Sequence, residues 1–114
     1  MPKDRMRRVN EAVREVLSTA IGDIKDPRVG FVTVTAVDTS PDLRHAQVFV
    51  SVLGDEAQRE QTFAGLISAR GFLQSHVARE LRMKHTPQLQ LVYDDTPEKG
   101  ARISQLLREI AEER

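Results

Sequence analysis

The 114-residue chain sets 17 Lys+Arg against 17 Asp+Glu, so its formal net charge is zero, and its length suits one domain with a single core that needs no metal or disulfide. It has no cysteine, which excludes disulfide frameworks, thiol catalysis and cysteine-ligated zinc. No apolar run approaches the ~18–20 residues of a membrane span, and the charged opening MPKDRMRRVNEAVREV lacks the apolar stretch of a secretory signal; a cytoplasmic protein is expected.

The neutral sum hides a local pattern. Residues 1–14 hold Lys3, Arg5, Arg7, Arg8 and Arg14 against Asp4 and Glu11, a net of +3. Residues 70–86 hold Arg70, Arg79, Arg82 and Lys84 against Glu80, again +3, with His76 and His85 among them. Residues 38–60 and 94–113 are each −3. If the two basic segments meet in the fold, a neutral protein presents one positive face.

The elements follow in chain order. Met6, Val9, Val13, Val16, Leu17 and Ala20 recur at helical spacing, which predicts a helix over 4–21 with Asp4 capping its start. Asp26-Pro27 ends any helix, because the residue before a proline avoids the α region. FVTVTAVD (31–38) is β-branched and alternating, a strand. TSPDL (39–43) is turn chemistry, and HAQVFVSVL (45–53) alternates again with Ala46, Val48, Val50 and Val52 on one face. The short connection makes these strands an antiparallel hairpin.

Asp55 and Gln58 have the spacing of a capping box, with Asp in place of Ser or Thr. The helix they open runs through Phe63, Leu66 and Ile67 and is interrupted at Ala69-Arg70-Gly71, where glycine suits a C-cap. A second stripe of Leu73, Val77 and Leu81 carries a helix to about Met83. Pro87 begins a strand, QLQLVYD. Thr96-Pro97 is an N-cap followed by proline at the first helical position, and Ile103, Leu106, Leu107 and Ile110 predict a final amphipathic helix at about 97–112. Phe63 and Phe72 read as core, Phe31 as core or edge, and Phe49 as facing the open side of the sheet.

The order α-β-β-α-α-β-α specifies a single α+β domain over 1–114, a three-stranded sheet with helices on one face. Thr33, Thr35, Gln47, Ser51, Gln88 and Gln90 suit the open face. Up to its third strand this is the element order of a type II KH domain, a module that clamps single-stranded nucleic acid with a Gly-x-x-Gly loop between two helices. Here Ala69-Arg70-Gly71 stands where that loop would be. His76, Arg79 and Arg82 share one helix flank, either as a solvated face bridged to Glu80 or Glu109 or as phosphate contacts. The cations that begin the first helix oppose its dipole. No HExxH, GxSxG, GxGxxG or Walker pattern occurs. Asp94 and Asp95 diverge across a strand end and read as turn initiators. No catalytic residue, metal or cofactor is expected.

Three stretches come in a recognisable order: RRVNEAVREVL, then DPRVGFVTVTAVDTSPDLRHAQVFVSVL, then LISARGFLQSHVARELRMKHTPQLQLVYDD. Together they resemble the ribosome-binding factor A family from about Arg7 to Ile110. The resemblance implies a type II KH-like domain whose RNA-gripping loop is replaced by a kinked helix pair, here Ala69, Arg70 and Gly71. It implies a bacterial, non-enzymatic factor that binds the immature small (30S) ribosomal subunit through 16S rRNA and supports late rRNA maturation and growth in the cold. On that reading Arg7, Arg8, Arg14, Arg28, Arg70, His76, Arg79, Arg82 and Lys84 are the RNA-contacting set of a monomer with no membrane partner. The alternative is a protein-interaction adaptor that uses the open sheet face or the C-terminal helix.

Overall fold

The computed structural model describes residues 2–112, without the side chains of Pro2, Lys3, Pro97, Glu98, Lys99, Ala101 and Ile103. In chain order the elements are α1 (Pro2–Gly22), β1 (Val32–Thr39), β2 (His45–Val52), α2 (Glu56–Ser68), α3 (Arg70–Leu81), β3 (Gln88–Tyr93) and α4 (Thr96–Glu112). The α+β order is the expected one. α1 begins before Asp4, so that carboxylate sits in the first turn and does not cap it.

One three-stranded sheet runs β1-β2-β3. β1 and β2 form the antiparallel hairpin. β2 and β3 are parallel, which requires a crossover, and the α2–α3 pair provides it. Ala46, Val48, Val50 and Val52 of β2 all face the core. β1 does not alternate straight through. A bulge at Thr35 shifts the register between Val34 and Ala36. Past the bulge Val37 turns inward and Ala36 and Asp38 turn out. Were Thr35 paired in regular register instead, the alternation begun at Val34 would drive Asp38 into the core, since a one-residue slip exchanges the two faces of a strand.

α1, α2 and α3 cover the β2 stripe. Val13 and Leu17 of α1, Leu66 of α2, and Leu73 and Val77 of α3 are fully buried in one cluster with Val48 and Val50. Gln74 ties α3 to β3 with its amide, donating to the Pro87 carbonyl and accepting from the Leu89 N–H. The α2 capping box forms as its spacing requires: Asp55 accepts from the Gln58 N–H at 2.8 Å and the Gln58 side chain accepts from the Asp55 N–H at 2.8 Å. Gly54, at φ 135°, makes room for it, because a Cβ there would lie 2.6 Å from Gln58 Oε1.

Two expectations need correction. Phe72 is 41% exposed, because it sits one residue, about 100° around the helix, from the Leu73–Val77 stripe. The interruption between α2 and α3 is made by Ala69, at φ −89° and ψ 6°, whereas Gly71 is an ordinary helical residue of α3. Ala69 closes one helix and opens the next: its N–H donates to the carbonyls of Gly65 and Leu66, and its carbonyl accepts from the Leu73 N–H.

The loop that leads from α1 into β1 is latched to α2. The Thr62 hydroxyl donates to the Arg28 carbonyl at 3.1 Å and accepts from the Gly30 N–H at 3.2 Å. Gly65 lets this loop approach, since a Cβ there would come within 2.8 Å of Val29 Cγ2. Gly65 and Gly71 therefore respond oppositely to alanine. Gly71→Ala meets nothing within 4 Å and is expected to stabilise the protein by about 0.5–1 kcal/mol through helix propensity. Gly65→Ala is expected to destabilise it by about 1–2 kcal/mol through overpacking, and trimming Val29 to Ala should recover part of the loss. Urea unfolding of the three variants measures both signs.

Candidate nucleic-acid interface

α1 and α3 lie side by side on one face of the sheet and run in opposite directions. Residues 23–26 border Ser68, Ala69 and Phe72, while Glu15, Val16, Thr19 and Asp23 line a groove with His76 and Glu80. The C-terminal end of α3 therefore points toward the N-terminal half of α1. This brings the two basic segments to one side of the molecule, as the charge pattern anticipated, but the helical phases then sort the cations into separate groups.

On α1 the flank that carries Val16 and Ala20 faces α3, with Asp23 just past the helix end on the same side. Arg8, nine residues before the buried Leu17, lies about 180° from it and points outward. Arg7 and Arg14 occupy the flank away from α3, with Glu11 between them. Arg14 Nη2 bonds Glu11 Oε2 at 2.9 Å, and this hydrogen bond, with the Arg14 and Arg7 charges, holds the Glu11 carboxyl below its usual range. An exposed pair of this kind is a weak contact, but it takes up part of Arg14's donor set.

On α3 the arginines stay exposed. The Arg79 side chain is 66% exposed. Its Nη2 lies 2.8 Å from His76 Nδ1, and its Nε reaches Glu80 only at 4.0 Å. Arg82 follows the last turn at φ 46°, and Lys84 is exposed in the loop beyond it. Arg79, Arg82 and Lys84 thus lie at the α3 C-terminal end, which points toward the half of α1 that carries Arg8. Arg70 opens α3 at its opposite end, where Ala69 offers the first turn no side-chain cap.

Arg28 has a different position from the rest. Its guanidinium bonds both oxygens of Asp26, at 2.6 Å in the shortest contact, and reaches Ser68 Oγ at 3.3 Å. Side-chain and backbone hydrogen bonds from Arg28 hold the Asp26 carboxyl down at about 2. Arg28 is thus the clamp that fastens the 26–30 loop to the end of α2, with its charge already matched. The Asp26-Pro27-Arg28 order is the local signal for that pairing, as Glu11 three residues before Arg14 is for theirs.

Asp94 is also occupied: it accepts from the Thr35 hydroxyl at 2.6 Å and from the Thr96 N–H at 2.9 Å, bonds that lower its carboxyl below the usual range. The bulged Thr35 thus ties β1 to the end of β3 across the sheet. Among the described residues no cluster of three His, Asp or Glu side chains is placed to hold a metal ion, and no helix is long and apolar enough to cross a membrane. The open sheet face carries Phe49, paired laterally with Ala36 and Val92, and Phe31, 79% exposed, extends the ladder just before β1 at the outer strand.

Comparison with known proteins agrees with this architecture. The family model of ribosome-binding factor A matches residues 5–107. The ribosome-binding factor A of Halothermothrix orenii is 44% identical over 114 residues, covering 99% of this chain and 93% of that protein. The crystal structure of ribosome-binding factor A from Thermus thermophilus superposes with a TM-score of 0.69 at 27% identity, over 77% of this chain and 94% of that one. A homology model of the Thermus thermophilus factor, fitted into an electron-microscopy map of a complex with the 30S subunit, gives a TM-score of 0.64 at 28% identity, over 75% and 90% of the two chains. With a family model spanning nearly its whole length and relatives of this similarity, the chain belongs to the ribosome-binding factor A family.

Proposed function

We infer that this protein is a non-catalytic assembly factor that binds the immature small ribosomal subunit through 16S rRNA and promotes the late maturation of that RNA, with most importance in the cold. One observation carries the reading: exposed Arg79, Arg82 and Lys84 lie at the C-terminal end of α3, which points toward the half of α1 that carries outward-facing Arg8, in a family with a 30S-bound member. Arginine forks suit phosphate oxygens because they offer paired, weakly hydrated donors. Recognition proceeds through backbone and shape, since Phe49 is the one aromatic residue on the open face within the three strands, without the neighbouring strand rings on which a sheet stacks bases. Binding shifts the precursor particle toward the conformation that makes these contacts, by differential affinity alone. Arg7, Arg14 and Arg70 extend the contact from its margins. Arg28 contributes by holding the 26–30 loop.

Arg82 supplies a second indication. A non-glycine residue in the left-handed region costs roughly 1–2 kcal/mol, and glycine is the usual occupant after a helix end. Arginine at φ 46° retains a cation at a stability cost, the pattern of strain kept at working positions.

About 4–6 phosphate contacts predict that log affinity for small subunits falls with log salt at a slope of roughly −3 to −5. Co-sedimentation in graded salt measures it, and a salt-independent affinity would overturn the reading. Replacing Arg79 and Arg82 together by Glu should abolish co-sedimentation with the circular dichroism spectrum intact. Arg82→Gly separates stability from binding. It is expected to raise the urea midpoint by relieving the strain and to reduce affinity about three- to tenfold, with a salt slope shallower by about one. Unchanged affinity in this variant would leave Arg82 without a role in the contact.

One observation favours the adaptor reading. Leu106, Leu107 and Ile110 of α4 are 51%, 62% and 53% exposed, so the apolar stripe is not buried on the domain's own core. If that stripe docks on a second copy, the mass by size-exclusion light scattering rises with concentration. We expect a monomer at both low and high concentration.

A further inference from the structure

Arg79 stands beside a groove whose rim carries Glu15 from α1, Asp23 just past the end of α1, and Glu80 from α3. An arginine so placed is drawn to fold down onto those carboxylates, yet its Nε is 4.0 Å from the nearest Glu80 oxygen and its Nη2 is 2.8 Å from His76 Nδ1. A guanidinium has only donors, so at this contact His76 Nδ1 is the acceptor and the imidazole proton is on Nε2. That nitrogen is buried and has no protein hydrogen-bond partner. The imidazole thus makes its one hydrogen bond to Arg79. The ring itself is set by Phe72, which packs edge-on with centroids 4.5 Å apart at 69°. This gives Phe72 a role outside the core stripe, on the α1 side of α3.

We propose that His76 is a positioning residue: its Nδ1 lone pair, oriented by Phe72, holds the Arg79 guanidinium off the Glu15–Asp23–Glu80 rim and leaves the remaining guanidinium donors free for an RNA phosphate. This rests on Arg79 being a contact of the bound particle. His76, expected from the sequence to touch RNA itself, then acts through its neighbour with its own ring turned inward.

Two substitutions isolate the lone pair. The side-chain oxygen of Asn overlays Nδ1, whereas the polar end of Gln overlays Nε2. Both remove the ring and its Phe72 contact equally, and Gln is the better helix former. Co-sedimentation with small subunits is expected to show His76→Asn near wild type and His76→Gln weakened about as far as Arg79→Ala. Helix stability or ring packing alone predicts equal losses, or a worse Asn variant, and either result would overturn the proposal. In the free protein, nitrogen shifts of the His76 ring should report a proton on Nε2 at neutral pH, with the balance of tautomers moving in Arg79→Ala. A proton on Nδ1 would refute the contact. If Arg79→Ala binds as tightly as wild type, the contact reading beneath fails and the positioning role falls with it, whatever the ring shifts show. A weakened Arg79→Ala beside equal Asn and Gln variants overturns the positioning role alone.

Discussion

The latch between the 26–30 loop and α2 is the contact on which the arrangement of helices depends. Thr62 satisfies a carbonyl and an N–H of that loop with a single hydroxyl, and Gly65 lets Val29 approach the helix backbone. On the same helix Ser68 meets the Arg28 guanidinium. Three residues of α2 thus grip the connection that leads out of α1 and into β1. Buried backbone groups must find partners, and here a helix side chain supplies them where no sheet or helix ladder reaches. Once α2 is pinned, Ala69 re-aims the chain, and α3 is laid beside α1 in the opposite sense.

That antiparallel packing decides the electrostatics. Two +3 segments share one side of the sheet, yet the surface is not uniformly positive. Glu15, Asp23 and Glu80 line the groove between the helices, and Glu11 occupies the flank of Arg7 and Arg14. Cations concentrate where α3 ends, at Arg79, Arg82 and Lys84. A neutral chain with a local basic group keeps steering toward a polyanion while limiting adhesion to every other one, because fields beyond about 8–10 Å are screened at physiological salt.

Features set by short-range chemistry were legible before any fold was known. The Asp55–Gln58 capping box needs only two residues three apart, and both bonds form. The β2 alternation survives intact because the strand is central and buried on one face. What escaped was set from a distance. The bulge at Thr35 exists because the core accepts Val37 and the end of β3 offers Asp94 to the Thr35 hydroxyl; alternation in β1 alone does not reveal it. Phe72 reads as core by hydropathy, yet it leaves the stripe to buttress His76. Glycine drew the kink to Gly71, although an alanine in the bridge region of backbone space makes it. Arg28 and Asp26 are two residues apart, so their pairing was readable in principle. Spacing alone does not say whether such a pair closes, because the Asp26-Pro27 step and Ser68 of a distant helix set the guanidinium against the carboxylate.

By itself, the sequence determined the element order, the hairpin, the α+β class and membership of the family, since these depend on periodicity, capping and local order along the chain. It also located the charge. Which charges are available was decided by the folded geometry, because spacing along the chain offers a cation a neighbour without fixing whether the two side chains engage. Asp26 and Ser68 occupy Arg28, His76 holds Arg79, and the left-handed turn after α3 presents Arg82. Net charge is a sum over residues, but an interface is made from those left uncompensated after folding.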